Sequence, residues 1–319
     1  MNPVSKSPTA TISSTSRKDW SATFSGALVW LKQWFELTKP RLSLLTVITA
    51  IVGYLSALPL YDLALFLSLI GGTSLAAGGA AALNMWMERD IDAKMKRTED
   101  RPIPSGIVKP GTALASGILL CIAGDALLLY GVNAVSASLA LLTQISYILA
   151  YTPLKRITPW NTELGAIPGA IPPLIGWAAA DAEIGPLGWT LFAILLFWQI
   201  PHFMAIAWLY RKDYRQGGFV MLTTIDDSGR RAALRSLSCS VIMGIVSVLP
   251  WVMGFTSAIY GVAAVLMAVW FTKKAIDFKQ AEERDPAARK LFLASIAYLP
   301  ALLSLLVIDR WLLVSWLQF

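Results

Sequence analysis

Asn84, Glu88 and Asp92 follow one another at four-residue steps in the stretch NMWMERDIDAKMKRTEDRPIPSG, residues 84–106. On a helix, that step places all three on one face. One amide and two carboxylates then offer oxygen donors to a hard divalent cation, and Mg²⁺ prefers a few carboxylates together with phosphate oxygens. Lys94, Lys96, Arg97 and Arg101 come directly after them. Acids that hold an ion beside guanidiniums that grip phosphate in bidentate fashion suit a metal–diphosphate complex. The run closes on RPIPSG, two prolines and a glycine that can stiffen a turn and fix Arg101. A second basic group, YTPLKR at 151–156, adds Tyr151, Lys155 and Arg156. Both runs also have a plainer use, since acids and bases at a membrane border neutralise one another and anchor a loop.

The elements that must position these residues are apolar. The 319-residue chain is 56% hydrophobic and 15% charged, where a soluble domain carries about 25% charged residues. That composition belongs to a membrane protein. Windows of about 20 apolar residues suit bilayer-spanning helices, and nine are expected, near 42–60, 63–86, 112–130, 134–150, 164–181, 187–209, 236–254, 256–271 and 291–309. With nine spans, every Lys and Arg of the 27 except Arg310 falls on one side of the membrane. Basic residues mark the cytoplasmic side, so the N-terminus is expected inside and the C-terminus outside. The expected fold is all-α, a polytopic membrane protein whose nine transmembrane helices bundle around a central cavity. The net charge of +7 is then mainly a topology signal, and it leaves one membrane face suited to an anionic ligand.

Residues 1–35 are rich in Ser, Thr and Lys and lack the apolar run of a secretory signal. They are expected to form a disordered cytoplasmic segment ahead of one membrane domain over 36–319, with a transit peptide as the alternative. Cys121 and Cys239 both lie in apolar stretches, match no metal spacing and imply no disulfide framework. The second span carries GGTSLAAGGAAALN, small residues that let neighbouring helices approach closely and would bring Asn84 to a helix junction.

The stretch WQIPHFMAIAWLYRKDYRQGGF at 198–219 holds His202, the one histidine of the chain. It lies seven residues before the expected end of the sixth span, roughly 10 Å deep at 1.5 Å per residue. An ionisable group at that depth is a functional candidate. A neutral imidazole that satisfies a backbone group freed by Pro201 is the competing explanation. Arg211 and Asp213 follow where the loop starts, and there surface ion pairing competes with a site role.

These motifs together resemble the UbiA-type intramembrane prenyltransferases. NMWMERDIDAKMKRTEDRPIPSG is similar to their first acid-rich motif and YTPLKR to their Tyr/Lys/Arg loop, and the resemblance covers nearly the whole chain after about residue 35. The sequence departs from the usual family pattern in three places. Met85 follows Asn84 where an Asp is typical, Glu88 takes the middle acid position, and no second DxxxD ends the sixth span. NMW.ER..D, WQ.PHF and DY...G instead resemble the members of the family that prenylate heme.

The resemblance implies transfer of the farnesyl group of farnesyl diphosphate to the 2-vinyl group of heme B, giving heme O, with Mg²⁺ as cofactor. It assigns Asn84, Glu88 and Asp92 to the metal and Arg97, Arg101, Lys155 and Arg156 to the diphosphate. His202, Arg211 and Asp213 fall to heme. Asn84, Glu88, Asp92, Arg97, Arg101, Lys155 and His202 form the expected catalytic set. Membrane lipid is an expected partner, as is a heme A synthase or a terminal-oxidase assembly factor, and nucleic acid is not. A bacterial inner membrane is the expected location, with the mitochondrial inner membrane as the alternative.

Two rival functions make different demands on the sequence. Prenylation of an aromatic acid or quinone precursor would favour the missing second DxxxD. A transporter of an anionic substrate would need polar residues through mid-membrane, whereas charge gathers at one face.

Overall fold

A computed structural model describes residues 32–58, 60 and 62–317, with side chains in the last helix through 312. The expectation for residues 1–35 therefore falls largely outside the described residues. Among those described there is no strand. The helices are α1 (Pro40–Ser56), α2 (Leu63–Asp92), α3 (Pro110–Gly131), α4 (Ala134–Ile145), α5 (Asn161–Ala170), α6 (Pro172–Ala180), α7 (Pro186–Leu209), α8 (Arg211–Gln216), α9 (Leu222–Ile225), α10 (Arg230–Val252), α11 (Ala258–Gln280) and α12 (Arg284–Leu317). Beyond Ile145, α4 continues as a π-helical segment, Ser146–Tyr151, and one further turn, Thr152–Leu154.

Local chemistry fixes where these rods begin. Pro40, Pro110 and Pro186 sit in first turns, where the missing N–H costs nothing. Asp62 and Asn133 cap α2 and α4 by accepting from the amides of Leu65 (3.1 Å) and Ser136 (2.8 Å). Among the described residues, seven helices are long and apolar enough to cross a membrane. Two of the expected spans are not single long helices. The first is the 17-residue α1. The fifth is broken at Ile171 into α5 and α6, because Pro168, Pro172 and Pro173 withhold ladder hydrogen bonds.

Contacts at the two ends show which loops lie together. At one end the Val220 amide donates to the Lys155 carbonyl (2.8 Å), Asn161 to the Val220 carbonyl (2.7 Å) and Arg284 to the Ser228 carbonyl (2.7 Å). At the other, Asn133 reaches the carbonyl of Ala178 (2.6 Å), and the Ser257 amide donates to Asp309 (2.7 Å). The basic loops thus gather at one end.

Packing relies on small residues at crossings and aromatics in the core. A Cβ on Gly124 of α3 would lie 2.5 Å from the Ala76 nitrogen of α2. One on Gly176 of α6 would lie 1.7 Å from the Ala50 carbonyl oxygen of α1. Neither crossing admits a side chain. Around α7 and α10–α12, Tyr260, Tyr298, Phe271 and Phe278 are fully buried. The two tyrosine hydroxyls donate to Ser247, at its carbonyl (2.8 Å) and its Oγ (3.0 Å). Leu67, Leu119, Ile122 and Leu266 point outward and are exposed, as lipid-facing positions must be.

Candidate active site

Helix α2 continues past Trp86 to Asp92, so Asn84, Glu88 and Asp92 do share one helical face. All three are buried, and each is held by a different basic side chain. Lys39 donates to Asn84 Oδ1 (2.5 Å), Lys155 to Glu88 Oε1 (2.8 Å) and Arg101 to Asp92 Oδ2 (2.6 Å). Asn84 also donates to Thr152 Oγ1 (3.0 Å), which places it where α1, α2 and the end of α4 meet. That is the junction expected from the small-residue stripe.

The loop after α2 is folded tightly enough to aim Arg101. Thr98 Oγ1 donates to the Asp92 carbonyl (2.8 Å), and the Val108 amide closes on the Pro102 carbonyl (2.8 Å). Arg97 lies over the rings of Tyr210 and Tyr214, 5.3 and 5.7 Å from their centres. Cation–π contact and the flanking loop hold its guanidinium at the cavity wall. Lys155 is brought in by the π-helical segment, whose wider turn stacks Tyr147 on Tyr151 at 5.7 Å. The Lys155 ammonium stands 4.5 Å above the Tyr151 ring. Burial works against its charge, but Tyr151 and the Glu88 carboxylate outweigh burial and hold its pKa above the ordinary lysine value.

These groups ring the mouth of a cavity of about 370 Å³, a size suited to a small-molecule ligand. Its deeper walls are Ala76, Ala77, Ala80 and Ala81 of α2, Leu195 and Trp198 of α7, and Leu299 of α12. One end is therefore charged and the rest mostly apolar. His202 also lines it, between Trp198 and Phe292, at ring-centre distances of 4.9 and 5.1 Å.

Three expected site residues are not brought to this cavity. Arg156 is exposed, because it follows Lys155 directly and points to another side of the chain. Arg211 turns back onto Trp208, 4.2 Å from its ring centre, and pairs with Asp285 (3.0 Å). Asp213 is displaced by its neighbour, since Tyr214 is the residue of α8 that faces the cavity. Adjacent helical residues point about 100° apart.

Lys39 was not foreseen. It occupies a left-handed conformation (φ 46°, ψ 62°) directly before Pro40, an unfavourable backbone state for a lysine. Burial, then the nearby Arg101 guanidinium, pushes its ammonium down to about 7.

The donor set fits a hard cation. Among the described residues no three His, Cys, Asp or Glu side chains gather as a metal cluster. Two buried carboxylates and one amide oxygen, all on one face and opposite four basic side chains, match a Mg²⁺ ion that takes its remaining ligands from diphosphate.

Residues 46–296 match the model of the UbiA prenyltransferase family. The chain belongs to that family. It is 54% identical to the protoheme IX farnesyltransferase of Opitutus terrae, over 88% of this chain and 96% of the relative. It is 42% identical to that of Solibacter usitatus, over 88% and 99%. Among solved structures, digeranylgeranylglyceryl phosphate synthase superposes with a TM-score of 0.75 at 18% identity, over 88% of this chain and 98% of that one. A UbiA homologue from Archaeoglobus fulgidus bound to GPP and Mg²⁺ gives 0.63 at 12% identity, over 86% and 99%. The family assignment and the apolar helices make this UbiA-family protein an integral membrane protein.

Proposed function

We propose that this protein transfers the farnesyl group of farnesyl diphosphate to a vinyl group of protoheme IX, the 2-vinyl group, releasing diphosphate. The observation that carries this reading is the 54% identity to a protoheme IX farnesyltransferase across nearly the full length of both chains. The chemistry follows from the cavity.

Asn84, Glu88 and Asp92 would hold Mg²⁺, which supplies Lewis-acid stabilisation of the departing diphosphate. Arg97, Arg101 and Lys155 place fixed positive charge where negative charge develops, and Lys39 adds a fourth donor beside Asn84. As the allylic C–O bond breaks, the face of Tyr147 turned from Tyr151 would stabilise the electron-poor carbon. Alanine and leucine walls receive the isoprenoid tail and keep bulk water from the cation. His202 serves the porphyrin side of the cavity, one helical stretch deeper than the charged mouth.

Nine membrane crossings, a cytoplasmic N-terminus and an inner-membrane location belong to the same proposal. The one-sided placement of Lys and Arg supports the orientation. A heme A synthase or a terminal-oxidase assembly factor is the proposed consumer of the product.

The test supplies membranes with farnesyl diphosphate, Mg²⁺ and either heme B or 4-hydroxybenzoate, and identifies products by mass. Heme should gain a farnesyl group while the benzoate stays unmodified. Prenylated benzoate beside untouched heme would overturn the proposal.

A further inference from the structure

Addition of an allylic cation to a vinyl group cannot end at the new C–C bond. The terminal vinyl carbon bonds to the farnesyl carbon, and the positive charge moves to the vinyl carbon next to the porphyrin ring. That carbon then either loses a neighbouring proton, leaving an alkene, or is captured by water, leaving an alcohol. Capture needs a water held in place and a base to take its proton. The acids at the mouth are each engaged by a cation, Glu88 by Lys155 and Asp92 by Arg101. Deeper along the wall, His202 is the one basic group among the described residues.

Hydrogen-bond accounting favours one tautomer of that histidine. Its Nδ1 lies 2.7 Å from Ser295 Oγ. Ser295 has a single hydroxyl hydrogen and donates it to the Phe292 carbonyl at 2.6 Å. With that hydrogen on the carbonyl, the Ser295 oxygen accepts from Nδ1–H. Nε2 therefore carries the lone pair. The ring is clamped by Trp198, stacked at 4.9 Å and 22°, and by Phe292 at 5.1 Å. Trp198 Nε1 donates to the Ser295 carbonyl (2.8 Å), which ties the ring and its partner to the same turn of α12.

A second acceptor sits one turn away. Gln199 places both hydrogens of its amide nitrogen on backbone carbonyls, Ala166 (3.2 Å) and Leu195 (3.1 Å). Its Oε1 is left as an acceptor and lies over Gly169, 2.0 Å from where a Cβ would be. Gly169 and Gln199 both line the cavity. Residues three apart on a helix are neighbours on its surface. A water held between them would give one hydrogen to His202 Nε2 and the other to Gln199 Oε1, leaving an oxygen lone pair for the cavity.

We propose that His202 is the base, and Gln199 the positioning residue, for the water that captures this cation. The water oxygen forms the C–O bond with its own electron pair, one O–H bond breaks, and the proton passes to Nε2. The resulting imidazolium keeps its Nδ1–H bond to Ser295 and returns the proton to solvent as product leaves. Nothing is oxidised or reduced. The inference rests on the farnesyl-transfer reading of the same cavity.

The test uses the full chain in membranes, with farnesyl diphosphate, heme B, Mg²⁺ and ¹⁸O-labelled water, and measures the ratio of alcohol to alkene product by mass. Wild type should give labelled alcohol. His202→Gln can still donate to Ser295 but takes up no proton, and should shift the ratio at least tenfold toward alkene, the product lighter by one water. Ser295→Ala leaves the base in place but frees its tautomer, and should shift the ratio in the same direction by less. An unchanged ratio in both variants overturns the assignment, as does loss of heme binding in His202→Gln accompanied by a change in the iron spectrum. If wild-type protein leaves heme unmodified, the farnesyl-transfer reading itself has failed.

Discussion

Replacing Lys155 by Met separates what the buried ion pairs do for folding from what they do for catalysis. The ammonium lies 2.8 Å from Glu88 Oε1, with side-chain exposures of 16% and 7%. At that distance the attraction is about 6 kcal/mol for an effective dielectric constant near 20. Most of it is offset by the desolvation of both charges. Removing one partner is different, because it leaves a carboxylate buried and unpaired, at a cost of about 3–5 kcal/mol. The residual exposure of Lys155 puts the expected value at the lower end, roughly 3 kcal/mol. In detergent, Lys155→Met should lower the thermal midpoint by roughly 5 °C or more. Adding Glu88→Gln neutralises the stranded charge without changing its shape, so the double variant should recover most of that loss. Farnesyl transfer should be absent in both, since the cation over the leaving group is gone. A double variant as unstable as Lys155→Met would refute the charge argument. Normal turnover by Lys155→Met would remove Lys155 from the catalytic set.

Chelation of Mg²⁺ should stop turnover reversibly, and Glu88→Ala and Asp92→Ala should each abolish it while inserting normally; near-normal Mg²⁺-dependent rates in both variants would refute the metal assignment. Arg101→Ala should cost at least 100-fold in kcat/KM, from about 3 kcal/mol of lost charge-assisted bonding, while Arg156→Ala should stay within about twofold of wild type because Arg156 is exposed and off the cavity. In a variant lacking Cys121 and Cys239, Lys96→Cys and Glu183→Cys should label from opposite sides of the membrane, the first from the cytoplasm; labelling from one side would refute the count of crossings.

The shared face of Asn84, Glu88 and Asp92 was legible because they belong to one helix, and helical period alone places them on one face. The same logic found seven helices long and apolar enough to span among the described residues, since apolar length is a one-dimensional property. It misjudged the fifth span, where three closely spaced prolines divide the helix. Partners remote in sequence were not legible. Lys39 reaches Asn84 across 45 positions, and Ser295 reaches His202 across 93. Lys39 also depends on a left-handed turn that no composition rule anticipates. Tyr147 was missed because α4 loosens into a π-helix, which alters which residues share its cavity face. Arg156, Arg211 and Asp213 were grouped with the site through motifs shared with the family, but adjacent residues on a coiled backbone point apart.

The pairing pattern at the mouth also explains how two carboxylates can be kept buried and still be available. Each acid is satisfied by a separate long, flexible cation rather than by backbone amides. A backbone partner would be fixed, whereas Lys155 and Arg101 can turn from a carboxylate to a phosphate oxygen at little cost, exchanging one charge-assisted bond for another. On the proposed reading, a diphosphate arriving with its metal would offer both halves of that exchange at once, the ion to Asn84, Glu88 and Asp92 and the phosphate oxygens to the bases. Substrate binding then leaves no buried charge without a partner at either stage. That requires acids and bases to meet at a single level in the membrane, and so α2 must remain helical for six residues beyond Trp86. Were the helix to end at Trp86, Glu88 and Asp92 would hang in solvent, the bases would lose their resting partners, and neither the stability nor the diphosphate site would form.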